Sequence, residues 1–155
     1  MKTHRIFFII FTIVAMIING CFFSYINEHF FGYDGVNANF DFSNVVEKFT
    51  TIVIFAPIIE TILSQYLLYK LLRLTKIKSF YFYLTAMSVV FSLFHTYNWL
   101  YMLMTFVSAL ILNNFYLNTT NRYGNAEAAL FTIFIHAAYN AFGFFFVDSN
   151  DTHKT

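Results

Sequence analysis

The chain has 155 residues, of which 59% are hydrophobic and only 11% charged, against about a quarter charged in ordinary soluble domains. That leaves too little polar surface to coat a water-facing globule, and the 23 Phe and 11 Tyr suit lipid and its interfaces. The formal net charge of +1 comes with no basic stripe of the kind nucleic acid needs, and the single cysteine, Cys21, excludes an internal disulfide framework or a Cys-based zinc cluster.

The charges mark out the apolar segments in chain order. Between Arg5 and Glu28 lie 22 uncharged residues, and between Lys48 and Lys70 lie 21 interrupted only by Glu60. From Lys78 to Arg122 there are 43 residues without Asp, Glu, Lys or Arg, and from Glu127 to Asp148 there are 20. A helix crosses the hydrocarbon core with about 20 apolar residues, so the long stretch is two helices with a turn near His95-Thr96-Tyr97-Asn98. The expected fold class is all-α: a polytopic transmembrane helical bundle of about five spans, over 6–24, 50–71, 79–97, 99–117 and 128–147. Helices are expected because a backbone in lipid must satisfy its own hydrogen bonds. The organisation that follows is an N-terminal transmembrane helix with an outer interfacial loop over 1–49, a four-helix core over 50–147, and a polar tail over 148–155.

Lys2, Arg5, Lys70, Arg73, Lys76, Lys78 and Arg122 all fall on one side if the N-terminus is cytoplasmic, leaving Lys48 and Lys154 opposite. The first span also has the charged start of a signal peptide, and Ile18-Asn19-Gly20-Cys21 faintly resembles a lipoprotein cleavage site. Phe22-Phe23 continues the apolar run, so an uncleaved helix with a small buried Cys21 is the expectation. Residues 25–49 carry the turn formers Asp34-Gly35, Asn37, Asn39 and Asp41 among aromatic residues, and read as an outer loop lying against the membrane.

Glu60 is the only carboxylate inside a span, and His95 and His136 are the only span histidines. A carboxylate near the bilayer centre costs about 2.5 kcal/mol or more unless it is paired or protonated, and such groups face the bundle interior. Ser64 follows Glu60 by four residues, and Thr61 and Gln65 are spaced to hydrogen-bond in the same way. His136 and Asn140 share one helix face, as do Phe91 and His95. Pro57 removes a hydrogen bond to the carbonyl of Val53 and is expected to kink span 2 there. At about 1.5 Å per residue, three helices bring their polar groups to one broad layer.

This set permits three readings. Glu60 can act as a general base on water with His95 helping to hold it, while His136 and Asn140 donate to an oxyanion. Glu60, His95 and His136 can instead bind zinc. Or the groups can be interhelical glue without chemistry. A transporter fits less well, since there is no inverted repeat and only one buried carboxylate.

The pattern resembles the CAAX prenyl protease and bacteriocin-processing family of intramembrane proteases, which carries Glu-Glu-x-x-x-Arg, Phe-x-x-x-His and His-x-x-x-Asn motifs on separate helices. These correspond to Glu60-Thr61-Ile62-Leu63-Ser64-Gln65, Phe91-Ser92-Leu93-Phe94-His95 and His136-Ala137-Ala138-Tyr139-Asn140, over roughly residues 50–147. The resemblance implies an intramembrane endopeptidase in which Glu60 and His95 activate water and His136 and Asn140 stabilise the oxyanion. Phe91, Thr61 and Gln65 are supporting residues. It implies no cofactor, with zinc as the alternative, and as partners membrane lipids and a membrane-associated peptide or protein substrate. A bacterial inner membrane is the expected location. Thr61 and Gln65 depart from the family's second Glu and its Arg, which leaves a non-catalytic relative, acting in bacteriocin self-immunity or as a scaffold, as the other outcome.

Overall fold

A computed structural model describes residues 2–33 and 42–147, and among them every regular element is helical. Five helices follow one another. Helix α1 (Lys2–Ile26) continues through a wide turn to Phe31. Helix α2 (Val45–Leu72) is followed by α3 (Phe80–Leu93), α4 (Trp99–Tyr123) and α5 (Asn125–Phe142), the last continued to Val147. The turn formers expected at 34–41 and the tail at 148–155 lie outside the described residues.

Local chemistry sets the helix starts. The side chains of Asn44, Ser79 and Asn98 each accept a hydrogen bond from the backbone N–H three residues on, at 2.9, 3.4 and 2.8 Å, satisfying donors that a first helical turn leaves open. Glu47 accepts in return from the backbone of Ser43 at 2.8 Å, which completes a capping box at the start of α2. Gly124 alone separates α4 from α5, at φ +93°, a conformation L side chains rarely adopt.

Four helices are long and apolar enough to cross a membrane, and α3, at 14 residues, is not. The 79–97 span expected from the sequence is therefore too long, because the chain leaves the helix after Leu93. At about 1.5 Å per residue α3 covers only about 21 Å. The break expected at 95–98 does fall between α3 and α4. Helix α4 lies at the centre, packed against α1, α3 and α5, while α2 packs on α5 and α3.

The molecule is apolar outside and substantially polar inside. Ile6, Phe7, Ile10, Phe11, Val14, Ile18 and Phe22 form an exposed stripe down α1, whereas Thr12, Met16 and Asn19 on its other face are buried. This is the inverse of a soluble helix, and it fits a bundle whose helices associate through packing and polar contacts in lipid. The chain is an integral membrane protein. Cys21 is exposed rather than buried, because it lies beside the Phe22 stripe instead of on the Asn19 face.

Contacts at each end fix which helix ends belong together. At one end Arg5 pairs with Glu127 at 2.9 Å and its guanidinium lies over the rings of Tyr123 and Phe131, 5.3 and 4.8 Å from their centroids. Asn125 at the same end donates to the carbonyl of Tyr66 at 3.4 Å. At the other end the Trp99 indole donates to the Tyr33 hydroxyl at 2.9 Å. Arg5, Arg122 and the α2–α3 loop thus share one end of the bundle, as their charges require.

Candidate active site

Helix α2 supplies the acid, and its backbone is irregular on both sides of it. Turns closed by wider hydrogen bonds run over Thr50–Phe55 and Ile62–Leu67, flanking Ala56–Thr61, and such bulges are frequent at functional sites. Pro57 accounts for the first. The Ala56 N–H bonds to Thr51 O, and Pro57 has no N–H to offer Ile52. The Ile52 carbonyl is instead taken by the Asn140 amide of α5 at 2.9 Å. The helix continues through the proline, and the missing donor is replaced from a neighbouring helix.

Glu60 Oε2 lies 3.6 Å from His95 Nε2 and 3.6 Å from His136 Nε2. Three helices separated by 35 and 41 positions in the chain thus meet around one oxygen, which makes no direct hydrogen bond. Both separations exceed hydrogen-bonding range and are of the size that a water bridges. The Glu60 side chain retains 23% of its exposure, against 12% for His95 and 5% for His136. The shortness of α3 brings His95 to this depth: a helix ending at Leu93 places the following turn inside the bundle.

His95 is held by its own motif. Its Nδ1 bonds to the Phe91 carbonyl at 2.9 Å, so Nδ1 carries the hydrogen and, in the neutral ring, Nε2 is left as an acceptor towards Glu60. The Phe91 ring stacks on His95 with centroids 4.8 Å apart, and lies 5.6 Å from the ring of His136. Phe91 is therefore the aromatic wall that orients both imidazoles.

These groups line a cavity of about 290 Å³. Glu60, Phe91, His95, His136 and Asn140 form one part of its lining; Tyr97, Tyr101, Met104, Ser108, Ala109 and Leu112 carry it along α4, and Met16 and Tyr139 close it towards α1. Tyr97 is 41% exposed, so the cavity reaches the surface at the α3–α4 turn.

Thr61 and Gln65 do not form the expected bond to each other. Both are fully buried, and Thr61 Oγ1 and Gln65 Nε2 have no partner. The widened turn over Ile62–Leu67 carries Gln65 towards Ser64, whose hydroxyl lies 3.1 Å from Gln65 Oε1 and 2.5 Å from the Glu60 carbonyl oxygen. They belong to a buried polar layer with Ser88, Asn113 and Thr132, one turn from the cluster of Tyr69, Met87, Tyr116 and Ala128 that fills the adjacent end of the bundle. Asn113 donates to Ser88 at 3.0 Å. The reading from sequence passed over Asn113 and Asn19; their position inside apolar helices was the available signal. Asn19 donates to Ser108 Oγ at 2.8 Å and to the Met104 carbonyl at 3.0 Å, tying α1 to the cavity wall.

The described residues contain no group of three or more His, Cys, Asp or Glu side chains placed to hold a metal ion. What the arrangement offers is a carboxylate and two imidazoles around one point, with a carboxamide beside them, inside a membrane bundle.

That combination defines a class: polytopic helical membrane proteins with a Glu/His/His/Asn centre between helices. Residues 42–142 match the family model of the type II CAAX prenyl endopeptidase Rce1-like proteins, and the chain belongs to this family. The match begins just before α2 and leaves α1 outside it. No curated protein and no solved structure matches the chain.

Proposed function

We propose that the chain is an intramembrane endopeptidase that hydrolyses a peptide bond with a water activated by Glu60. The observation that carries this is the approach of His95 and His136 to the same Glu60 oxygen, on the wall of a cavity that reaches the surface. A lone carboxylate at this depth is costly, and one ringed by two imidazoles is arranged for proton transfer.

In this reading a water donates one hydrogen to Glu60 and the other to His95 Nε2, leaving an oxygen lone pair for the scissile carbonyl. As the C–O bond forms, Glu60 takes the proton. His136 and Asn140 donate hydrogen bonds to the resulting oxyanion. Collapse of the tetrahedral species breaks the C–N bond, and the proton held by Glu60 passes to the leaving amine. Asn140 has two amide hydrogens; Ile52 takes one, which fixes the direction of the other.

The substrate is a membrane-associated peptide or protein. The N-terminus lies in the cytoplasm of a bacterial inner membrane, by the distribution of Lys and Arg, so the cavity reaches the surface on the outer side. That side suits peptide or bacteriocin-related substrates rather than prenylated chains presented at the cytosolic face. Thr61 and Gln65 favour one other reading, a non-catalytic member acting in self-immunity or as a scaffold.

The deciding experiment is hydrolysis of membrane-proximal peptides by the purified protein in detergent. Glu60→Gln should abolish cleavage, and equal cleavage by that variant overturns the mechanism. Chelators should leave the rate unchanged; loss restored by added zinc moves the chemistry to a metal held by Glu60, His95 and His136. A phenotype that survives both Glu60→Gln and His136→Ala points to the non-catalytic reading.

A further inference from the structure

The cavity says more than where hydrolysis takes place. From Tyr101 to Leu112 it follows α4 for three turns, about 16 Å at 1.5 Å per residue. Its volume is about 290 Å³, whereas a single turn of α-helix 10 Å wide and 5.4 Å high occupies about 420 Å³. A helical substrate cannot enter it, but an extended chain can lie along α4 with its side chains alternating across it.

Beyond Glu60 the lining changes character. Met16 from α1, Met104, Ala109 and Leu112 from α4, and Tyr139 from α5 surround this part. Met16 and Leu112 also belong to one packed apolar cluster with Phe115 and Ile135. Met16 is 2% exposed and Ala109 and Leu112 are 0%, so the walls are fixed by packing rather than left to solvent. Helix α1 is anchored there by the bonds from Asn19 to Ser108 and Met104.

We infer that this apolar end is a side-chain subsite, in which Met16 and Ala109 select a medium-sized unbranched apolar residue, Leu or Met in type, next to the scissile bond. This rests on the proteolytic reading and adds to it that α1, which lies outside the family match, sets the specificity. Ala109 is the only small side chain among the apolar walls and fixes the depth. Met16 is flexible and fills irregular space, and it fixes the width. A pocket of this kind discriminates by about 10- to 200-fold per methylene.

The test uses the full-length protein in detergent and a peptide series in which the residue on each side of the cleaved bond is varied through Gly, Ala, Val, Leu, Met and Phe, with products identified by mass. Wild type should cleave Leu and Met peptides at least 10-fold faster than Gly or Phe peptides. Met16→Ala should raise kcat/KM for Phe about 10-fold relative to Leu, and Ala109→Leu should move the preference to Ala or Gly. Cleavage with an unchanged profile in both variants overturns the subsite and leaves proteolysis standing. Absence of cleavage by wild type overturns proteolysis instead. The subsite is then judged by a photo-leucine peptide on wild type and on Glu60→Gln: labelling concentrated on Met16 and Met104 supports it, and labelling spread over the exposed stripe of α1 overturns it. Thermal unfolding of each variant separates a changed pocket from a lost fold.

Discussion

The Asn140 amide donates to the carbonyl of Ile52 across two helices, at 2.9 Å, and it can do so because Pro57 leaves that carbonyl without an intrahelical donor. Pro57→Ala supplies the missing N–H and lets α2 compete for the Ile52 oxygen. The helix itself should become more stable, since an interior proline costs about 3 kcal/mol against alanine. In the protease reading Asn140 loses its anchor, and kcat should fall about 10-fold, the equivalent of one hydrogen bond at about 1.4 kcal/mol, with KM little changed. Asn140→Ala removes the donor altogether and should cost about 10²- to 10³-fold in kcat. A Pro57→Ala enzyme that is both more stable and fully active would detach the proline from the site.

The departures at Thr61 and Gln65 make a second prediction. Both side chains are fully buried and each has an atom with no partner. Thr61→Glu or Gln65→Arg alone buries an uncompensated charge and should destabilise the protein by about 3–5 kcal/mol. Together they re-create the family's Glu/Arg pair one turn apart, and the double variant should recover about 1–3 kcal/mol of the summed loss. Thermal unfolding of the three variants in one detergent measures that coupling. Strict additivity would show that the widened turn over Ile62–Leu67 holds the two positions too far apart to pair.

The bundle and the centre of the site were legible in the sequence because lipid allows so few exceptions. Glu60, His95, His136 and Asn140 stood out as polar groups in apolar helices, and three of the four are drawn together as their depths suggested. Other features depend on backbone geometry that spacing does not encode. The Thr61–Gln65 bond fails because a wide turn replaces the regular one. The expected span over 79–97 fails because apolar composition continues past Leu93 into the turn, although the helix does not. Cys21 was misplaced for a simpler reason: its neighbours Asn19 and Phe22 face opposite ways, and only packing decides which side a small residue takes. The role of Asn19 could have been suspected from its burial cost in an apolar helix, while its partner Ser108 could not.

Gly20 supplies a third prediction. A Cβ at this position would stand 2.7 Å from the Tyr139 hydroxyl oxygen, so the missing side chain is what lets α1 approach the residue beside Asn140. Gly20→Ala must displace the Tyr139 hydroxyl, and Gly20→Leu should cost about 1–3 kcal/mol as an overpacked contact. Asn19→Leu removes the polar tie to α4 and should cost about 0.6–1.7 kcal/mol, the range of hydrogen bonds within membrane bundles. Because Tyr139 lines the cavity, Gly20→Leu should also lower kcat/KM more than Asn19→Leu does at equal loss of stability. Equal effects on activity would reduce α1 to a purely structural helix.

Orientation gives the last prediction, and the single cysteine makes it direct to test. Arg5 and Glu127 form an ion pair at 2.9 Å, so the start of α1 and the α4–α5 junction share an end, and the contact of Asn125 with Tyr66 adds the last turns of α2. Replacing Cys21 with Ser gives a cysteine-free background. In it, Thr75→Cys in the α2–α3 loop and Ala126→Cys at the start of α5 should behave alike, and Thr96→Cys in the α3–α4 turn should behave oppositely. All three positions are exposed. With basic residues retained on the cytoplasmic side, a membrane-impermeant maleimide applied to intact cells should label Thr96→Cys and spare the other two until the cells are opened. Labelling of Thr75→Cys and Ala126→Cys alone would invert the protein and move the mouth of the cavity to the cytoplasmic side. A prenylated substrate would then become the better expectation, with the geometry around Glu60 unchanged.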